Sequence, residues 1–255
     1  MNPPKILITN DDGIYSPGIH ALWEAMCEVG DPIAVAPKTE QSAKGHAITI
    51  TKPLRVKAIT RDNGFIGWSV NGTPSDCTKL AIKSLLNEKP DLIISGINQG
   101  ANLGSNIMYS GTISAAAEGT ILGIPSIAIS LASYNTDDYK LSKSVAIEIA
   151  THVLNYDLPN GTLLNVNVPY CDQKDIKGWR VTRQGNQYFS DQYEEKKDPR
   201  KQKYYWIYGE IIDEDESLDY DGKAISEKYV SITPIHFRLT NESYINKLNR
   251  QLFEK

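Results

Sequence analysis

Asn10-Asp11-Asp12-Gly13 stands directly behind the apolar run Ile6-Leu7-Ile8-Thr9. Two adjacent carboxylates in that place can do chemistry that a lone acid cannot. They repel each other, and burying them unpaired costs several kcal/mol or forces one to keep its proton. A divalent cation removes that penalty. The pair is therefore a candidate metal centre, with Asp11 and Asp12 as catalytic and ligating residues and Asn10 and Gly13 in support. The competing reading is a plain turn, because Asp-Gly is a common loop signal and Asp also caps helices.

Two other stretches offer matching chemistry. After Ala36-Pro37, the segment Thr39-Glu40-Gln41-Ser42-Ala43-Lys44-Gly45-His46 is small and polar, and His46 lies close enough to Ser42 to reach a substrate. After Ser95, glycines 96, 100 and 104 alternate with asparagines 98, 102 and 106, giving a loop rich in side-chain amides and in positions suited to positive φ. That loop runs into Tyr109-Ser110-Gly111-Thr112, just ahead of an Ala-rich helix. Backbone N–H groups at a helix start, with hydroxyls beside them, form an anion site; the alternative is an N-cap by Ser110 or Thr112. An acidic pair and an anion-type helix start at neighbouring strand ends suggest a phosphate held between them.

The elements that must position these residues alternate between strand and helix. Strands are expected at Ile6–Thr9, Pro32–Ala36, Ile66–Val70, Asp91–Ser95, Ser126–Leu131 and Leu163–Val168, with a β-rich stretch from Ala47 to Ala58. Helices are expected through Ile19–Met26, from a Thr73 cap with Pro74 and Asp76 in the first turn, over Thr112–Leu122, and over Leu141–Leu154. This alternation implies an α/β, Rossmann-like, mostly parallel doubly wound sheet, whose ligands bind outside the carboxyl ends of the strands. Residues 1–170 are expected to form that catalytic core. Residues 171–255 are expected to form a β-rich arm (Trp179–Arg183, Lys203–Ile212), a returning strand (Tyr229–Ile235) and a terminal helix from Thr240 to Phe253. Between Asp191 and Asp221 there are eleven acidic and five basic residues, and seven of the fourteen tyrosines lie between Tyr188 and Tyr229. Such an aromatic arm fits packing against another subunit rather than an independent domain.

Composition bounds the function. The 255 residues are 40% hydrophobic and 23% charged, enough for a substantial core. The net charge of -4, without a long basic run, argues against a nucleic-acid polymer as partner. No apolar run approaches the roughly 18 residues of a membrane span, and the N-terminus reads as neither signal nor transit peptide. Cys27, Cys77 and Cys171 are far apart and are expected to be buried thiols in a reducing compartment, so a cytoplasmic location follows.

The segments ILITNDDGIYSPGI (6–19), VAPKTEQSAKGHAIT (35–49), VNGTPSDCTKLA (70–81), DLIISGINQGANLGSNIMYSGTISAAAEG (91–119) and YVSITPI (229–235) resemble, in order, the stationary-phase survival protein SurE family of 5'/3'-nucleotidases. The resemblance implies a Rossmann-like core with a swapped or hairpin extension, assembled as a homodimer or homotetramer. It implies one divalent ion per subunit, Mg²⁺ or Mn²⁺, on Asp11, Asp12, Ser42 and Asn98, and phosphate contacts near Asn102 and on Ser110, Gly111 and Thr112. The implied substrate is a nucleoside monophosphate, hydrolysed to nucleoside and phosphate. All four metal donors offer oxygen, which suits those ions better than zinc. Ala43 replaces the glycine that usually follows the loop serine, and the tail Phe237-Arg238-Leu239-Thr240 lacks an acidic residue common there. Two alternatives remain open: a phosphatase with an aspartyl-phosphate on Asp11, and a non-catalytic nucleotide sensor. The first normally has a second acid two residues on, where this chain has Gly13. The second lacks the usual glycine-rich phosphate loops.

Overall fold

Strand-forming and helix-forming segments alternate through the first two thirds of the computed structural model, which describes residues 2–253. The strands there are β1 (Lys5–Thr9), β2 (Asp31–Pro37), β3 (Val56–Thr60), β4 (Ile66–Val70), β5 (Leu92–Gln99), β6 (Ser126–Ala132) and β7 (Thr162–Pro169). Between them lie helices α1 (Pro17–Met26), α2 (Pro74–Leu80), α3 (Gly111–Ile121) and α4 (Lys140–Tyr156). The later part adds β8 (Trp179–Val181), β9 (Tyr188–Phe189), β10 (Gln192–Lys197), β11 (Lys203–Tyr208), β12 (Ile211–Ile212), α5 (Asp221–Ser226), β13 (Val230–His236) and α6 (Glu242–Phe253). Residues 1, 254 and 255, the ends of the two expected regions, lie outside the described residues.

Nine strands form one sheet in the order β3-β4-β2-β1-β5-β6-β7-β13-β8. Every pairing from β4 through β7 is parallel, while β3 and β13 run antiparallel to β4 and β7. The fold is thus α/β and Rossmann-like, with a mostly parallel sheet flanked by helices. Alternation along β1 explains the layers: Ile6 and Ile8 join the cluster under α1 and α4, whereas Leu7 packs with Val35, Val70 and Cys77 toward α2. The chain winds one way from β1 to β2 and the other way from β1 to β5. The carboxyl ends of β1 and β5 therefore flank the switch point where α/β proteins place ligands.

The helix starts follow local chemistry. Thr73 Oγ1 accepts from Asp76 N–H, and Asp76 Oδ2 accepts from Thr73 N–H, a reciprocal capping box with Pro74 at the first helical position. Ser110 Oγ likewise caps α3 by accepting from Ile113 N–H.

Four expectations need correction. The β-rich stretch from Ala47 shrinks to β3, because Ile48 and Ile50 are exposed and their backbone turns to the α2 start instead. There Ala47 C=O accepts from Thr73 Oγ1 and Thr49 N–H donates to Asp76. The Lys203–Ile212 strand breaks after Tyr208, where Gly209 packs against Ser190. Trp179–Arg183 shortens to β8, which joins the main sheet parallel to β13. Of the cysteines only Cys77 is buried; Cys27 is exposed and Cys171 intermediate.

Candidate functional site

The end of β1 turns sharply into α1, and Asn10 makes the turn. Its Nδ2 donates to Gly13 C=O and to Ser16 Oγ, and its Oδ1 accepts from Gly13 N–H. Asn10 thus closes the turn around Asp11 and Asp12. Asp11 points inward and is almost fully buried. Its Oδ1 accepts from Thr112 Oγ1 at 2.6 Å, and its C=O accepts from Gln41 N–H at 2.7 Å. Three elements therefore meet at one aspartate: β1, the loop after β2 and the start of α3. The approach is close enough to exclude a side chain at position 111, since a Cβ there would lie 2.6 Å from Asp11 Cβ.

Asp12 is half-buried and lines a cavity of about 460 Å³ together with Glu40, Ser42, Gln99, Tyr134 and Tyr139. Burial pushes its carboxyl up to about 7, helped by the charges of Asp11 and Glu40 and opposed by the Gln99 backbone N–H. Burial likewise raises Asp11, against hydrogen bonds from Thr112. Among the described residues no Lys, Arg or His forms an ion pair with Asp11, Asp12 or Glu40. This accumulated negative charge is what a hard divalent cation would neutralise.

Ser42 is exposed on the loop after β2, and its Oγ donates to Glu40 Oε1 at 2.6 Å. Asn98 sits near the end of β5, paired with Ser130 of β6, rather than in a free loop. A register shift between Ser95 and Asn98 lets the strand continue past Gly96, whose φ of +143° and close approach to Ile129 C=O exclude a side chain. Asn98 Nδ2 donates to the Gln99 and Gly100 carbonyls, and its Oδ1 takes no hydrogen bond among the described residues. The expected donor set is two carboxylates, a hydroxyl and an amide. Among the described residues no three His, Cys, Asp or Glu side chains converge as a metal cluster.

The residues expected to contact phosphate divide. Gly111 and Thr112 face Asp11, and Ser110 caps the helix they begin. Asn102 is buried, with its contacts elsewhere: its Nδ2 donates to Ser130 Oγ, and its main chain pairs with Asn165 and Asn167. His46 turns away from the acidic pair. Its Nε2 meets Glu118 Oε2 at 2.9 Å, and it borders a separate apolar groove of about 840 Å³. Sequence reasoning missed Glu40, Gln99, Tyr134 and Tyr139 around Asp12. It also missed Asn165 and Asn167, although asparagines at alternate positions of a buried strand signal a polar partner on that face.

Buried carboxylates at the switch point of a Rossmann-like sheet stand where α/β proteins bind small ligands, and that is the class this fold defines. Comparison with known proteins narrows the class. Residues 6–191 match the family described as Survival protein SurE. The chain is 46% identical over 257 residues to 5'-nucleotidase SurE of Natranaerobius thermophilus, covering 98% of this chain and 99% of that one. It is 44% identical to 5'-nucleotidase SurE of Kosmotoga olearia, over 97% and 98%. The crystal structure of the SurE protein from Aquifex aeolicus superposes with a TM-score of 0.85 at 41% identity, over 97% of this chain and 99% of that one. The chain belongs to the SurE family.

Proposed function

We propose that this chain is a metal-dependent 5'/3'-nucleotidase, a phosphomonoester hydrolase that converts a nucleoside monophosphate and water to nucleoside and inorganic phosphate. The observation that carries the reading is the Asp11-Asp12 pair, raised in pKa, without a basic partner and set against the start of α3. The curated relatives named 5'-nucleotidase, matched over nearly their whole length, support the reaction. Asp11, Asp12, Ser42 and Asn98 would hold one Mg²⁺ or Mn²⁺ per subunit. Such an ion supplies Lewis acidity to the phosphoryl group and acidity to a bound water. Ser110, Gly111, Thr112 and the Asn102 turn orient the phosphate. Asp12, which lines the cavity while Asp11 is buried, is the carboxylate that takes the water's proton.

The test is hydrolysis of nucleoside 5'- and 3'-monophosphates by chelated protein, before and after Mg²⁺ or Mn²⁺ is restored. Hydrolysis that ignores the chelator overturns the metal role. A trapped phospho-aspartate would favour Asp11 as nucleophile, and binding without turnover would favour a sensor.

The division into a core of residues 1–170 and an extension of 171–255 belongs to the same proposal, as does a homodimer or homotetramer built through the extension. Every residue of β10 and β11 is exposed, including Tyr193, Tyr205 and Trp206. Helix α6 carries Tyr244, Ile245, Leu248 and Leu252 on one stripe and buries none of them. A cytoplasmic location belongs to the same proposal; among the described residues no helix is long and apolar enough to cross a membrane.

A further inference from the structure

The turn between Asn98 and Ser110 is held by side chains from far along the chain. Asn165 and Asn167, both fully buried on β7, take the Asn102 carbonyl, and Asn167 Oδ1 also accepts from Asn102 N–H. Gln184 Nε2 donates to Gly104 C=O at 3.0 Å, and Ser105 donates through both N–H and Oγ to Gln187 C=O. The last contact is Asp221. This fully buried carboxylate accepts from Gly104 N–H at 3.1 Å through Oδ2, and from Gly185 and Gly222 N–H at 2.9 and 2.8 Å through Oδ1.

Asp221 is unusual in what it lacks. Among the described residues no cation pairs with it, and the carboxylates of Asp213 and Asp215 stand beside the glycines that donate to it. A buried carboxylate without a cation is expensive, and a neutral acceptor would hold the surrounding chain more cheaply. The carboxylate's distinction is that both of its oxygens accept. It can therefore face donors on opposite sides, one from the turn and two from the extension, whereas an amide offers one acceptor and turns N–H groups toward the other side. From Gly104 a 3₁₀ turn runs directly to Ser110, and Gly111 then abuts Asp11.

We infer that Asp221 is a positioning residue for phosphomonoester hydrolysis. Through Gly104 it fixes the backbone that leads into Ser110-Gly111-Thr112, and it ties that backbone to residues 184–221. The inference rests on the proposed reading of the site. Asp221 touches neither substrate nor metal donors, so its removal acts on kcat more than on ground-state binding.

The test compares the full chain with Asp221→Asn, Gln184→Ala and Asp215→Asn, the last a half-buried aspartate beside Gly185 that accepts from Asn186 and makes no hydrogen bond to the turn. With a nucleoside monophosphate and saturating Mn²⁺, Asp221→Asn should lower kcat about tenfold to a hundredfold, the scale of displacements near one ångström. KM and Mn²⁺ affinity should stay within about threefold, and Asp215→Asn should match wild type. Wild-type kcat in Asp221→Asn overturns the inference, as does an equal loss in Asp215→Asn. Should Asp221→Asn fail to fold, Gln184→Ala carries the test: a fall in kcat at unchanged KM supports it, and wild-type kcat overturns it. If the wild-type chain hydrolyses no nucleoside monophosphate, the functional reading fails separately. Amide exchange over residues 103–111 then decides, being faster in Asp221→Asn but not in Asp215→Asn if the clamp is real, and unchanged if it is not.

Discussion

Replacing Gly111 with alanine tests whether the approach of α3 to the acidic pair sets the site. The added methyl would stand 2.6 Å from Asp11 Cβ, 2.8 Å from its Oδ2 and 3.0 Å from its Cγ, where ordinary contact begins at 3.4 Å. Relief needs a shift of about 0.8 Å, the difference between a 2.6 Å contact and an ordinary one. Asp11 cannot swing aside freely, because its backbone ends β1 and its Oδ1 holds Thr112. Nor can α3 yield easily, since Thr112, Ala115 and Ala116 are fully buried. Overpacking of this kind costs about 1–3 kcal/mol, against a helix-propensity gain of at most about 1 kcal/mol for alanine over glycine. With that gain in full, the net loss of up to about 2 kcal/mol lowers Tm by up to roughly 8 °C and leaves the protein folded at 25 °C. The effect on rate is larger. A displacement near one ångström costs up to about a hundredfold, or about 2.7 kcal/mol of barrier. The assay is kcat/KM for a nucleoside monophosphate with saturating Mn²⁺, alongside calorimetric titration of the metal and a thermal melt. Wild-type kcat/KM and metal affinity in Gly111→Ala would refute the argument that this contact sets Asp11.

Burial, with Asp11 and Glu40, raises Asp12 from 3.8 to about 7; a raised acid stabilises fully below its unfolded value, and that contribution is lost as pH rises through 7. Melts in chelator should therefore show wild type losing stability relative to Asp12→Asn between pH 5 and 8, with metal at pH 8 restoring it; a gap independent of pH would contradict this. Glu118 is held below 4.5, chiefly by the hydrogen bond from His46, while Lys79 Nζ lies 2.8 Å from its other oxygen. A depressed acid stabilises above its unfolded value, so Glu118→Gln should cost about 1–2 kcal/mol at pH 7, and the difference should close in acid, as the Glu118 carboxyl takes up its proton. Equal Tm at pH 7 would show the pair to be idle. Truncation after Thr240 or Trp206→Glu should reduce the mass measured by sedimentation to that of one chain, and an unchanged assembly would remove the extension from the interface. Inorganic phosphate, measured by calorimetry, should bind at least about a hundredfold more weakly in chelator, because little of the helix start remains free to hold it without a cation; chelator-independent binding would argue otherwise.

The parts of this molecule that the sequence discloses are those governed by near neighbours. Ile6-Leu7-Ile8 alternates between two cores, Thr73-Pro74-Ser75-Asp76 writes its own capping box, and Asn10-Asp11-Asp12-Gly13 closes a turn through Asn10. Contacts set by distant chain were hidden. Ile48 and Ile50 alternate as a strand should, yet the α2 start claims the backbone around them. Asn98 stood in a glycine-rich loop by composition, but pairing with β6 across a register shift makes it the end of β5. Asp221 meets Gly104 across 117 residues, and no period in the sequence reports such a meeting.

The start of α3 shows why the acidic pair and the helix dipole belong to one device. By residue type it was an anion site, and the structure places an anion there: the Asp11 carboxylate, on the Thr112 hydroxyl and backbone. Ile113 N–H is taken by Ser110, so of the first-turn donors Gly111 N–H has no protein acceptor among the described residues. A phosphate arriving at this helix would meet one open donor and two carboxylates, a net repulsion in a partly buried site. The same carboxylates become attractive only when a cation stands between them and the phosphate. On the proposed reading, the helix start orients Asp11 as a ligand through Thr112 and keeps the Gly111 N–H for the incoming anion. Both the absence of a side chain at position 111 and the hydroxyl at position 112 follow from that arrangement.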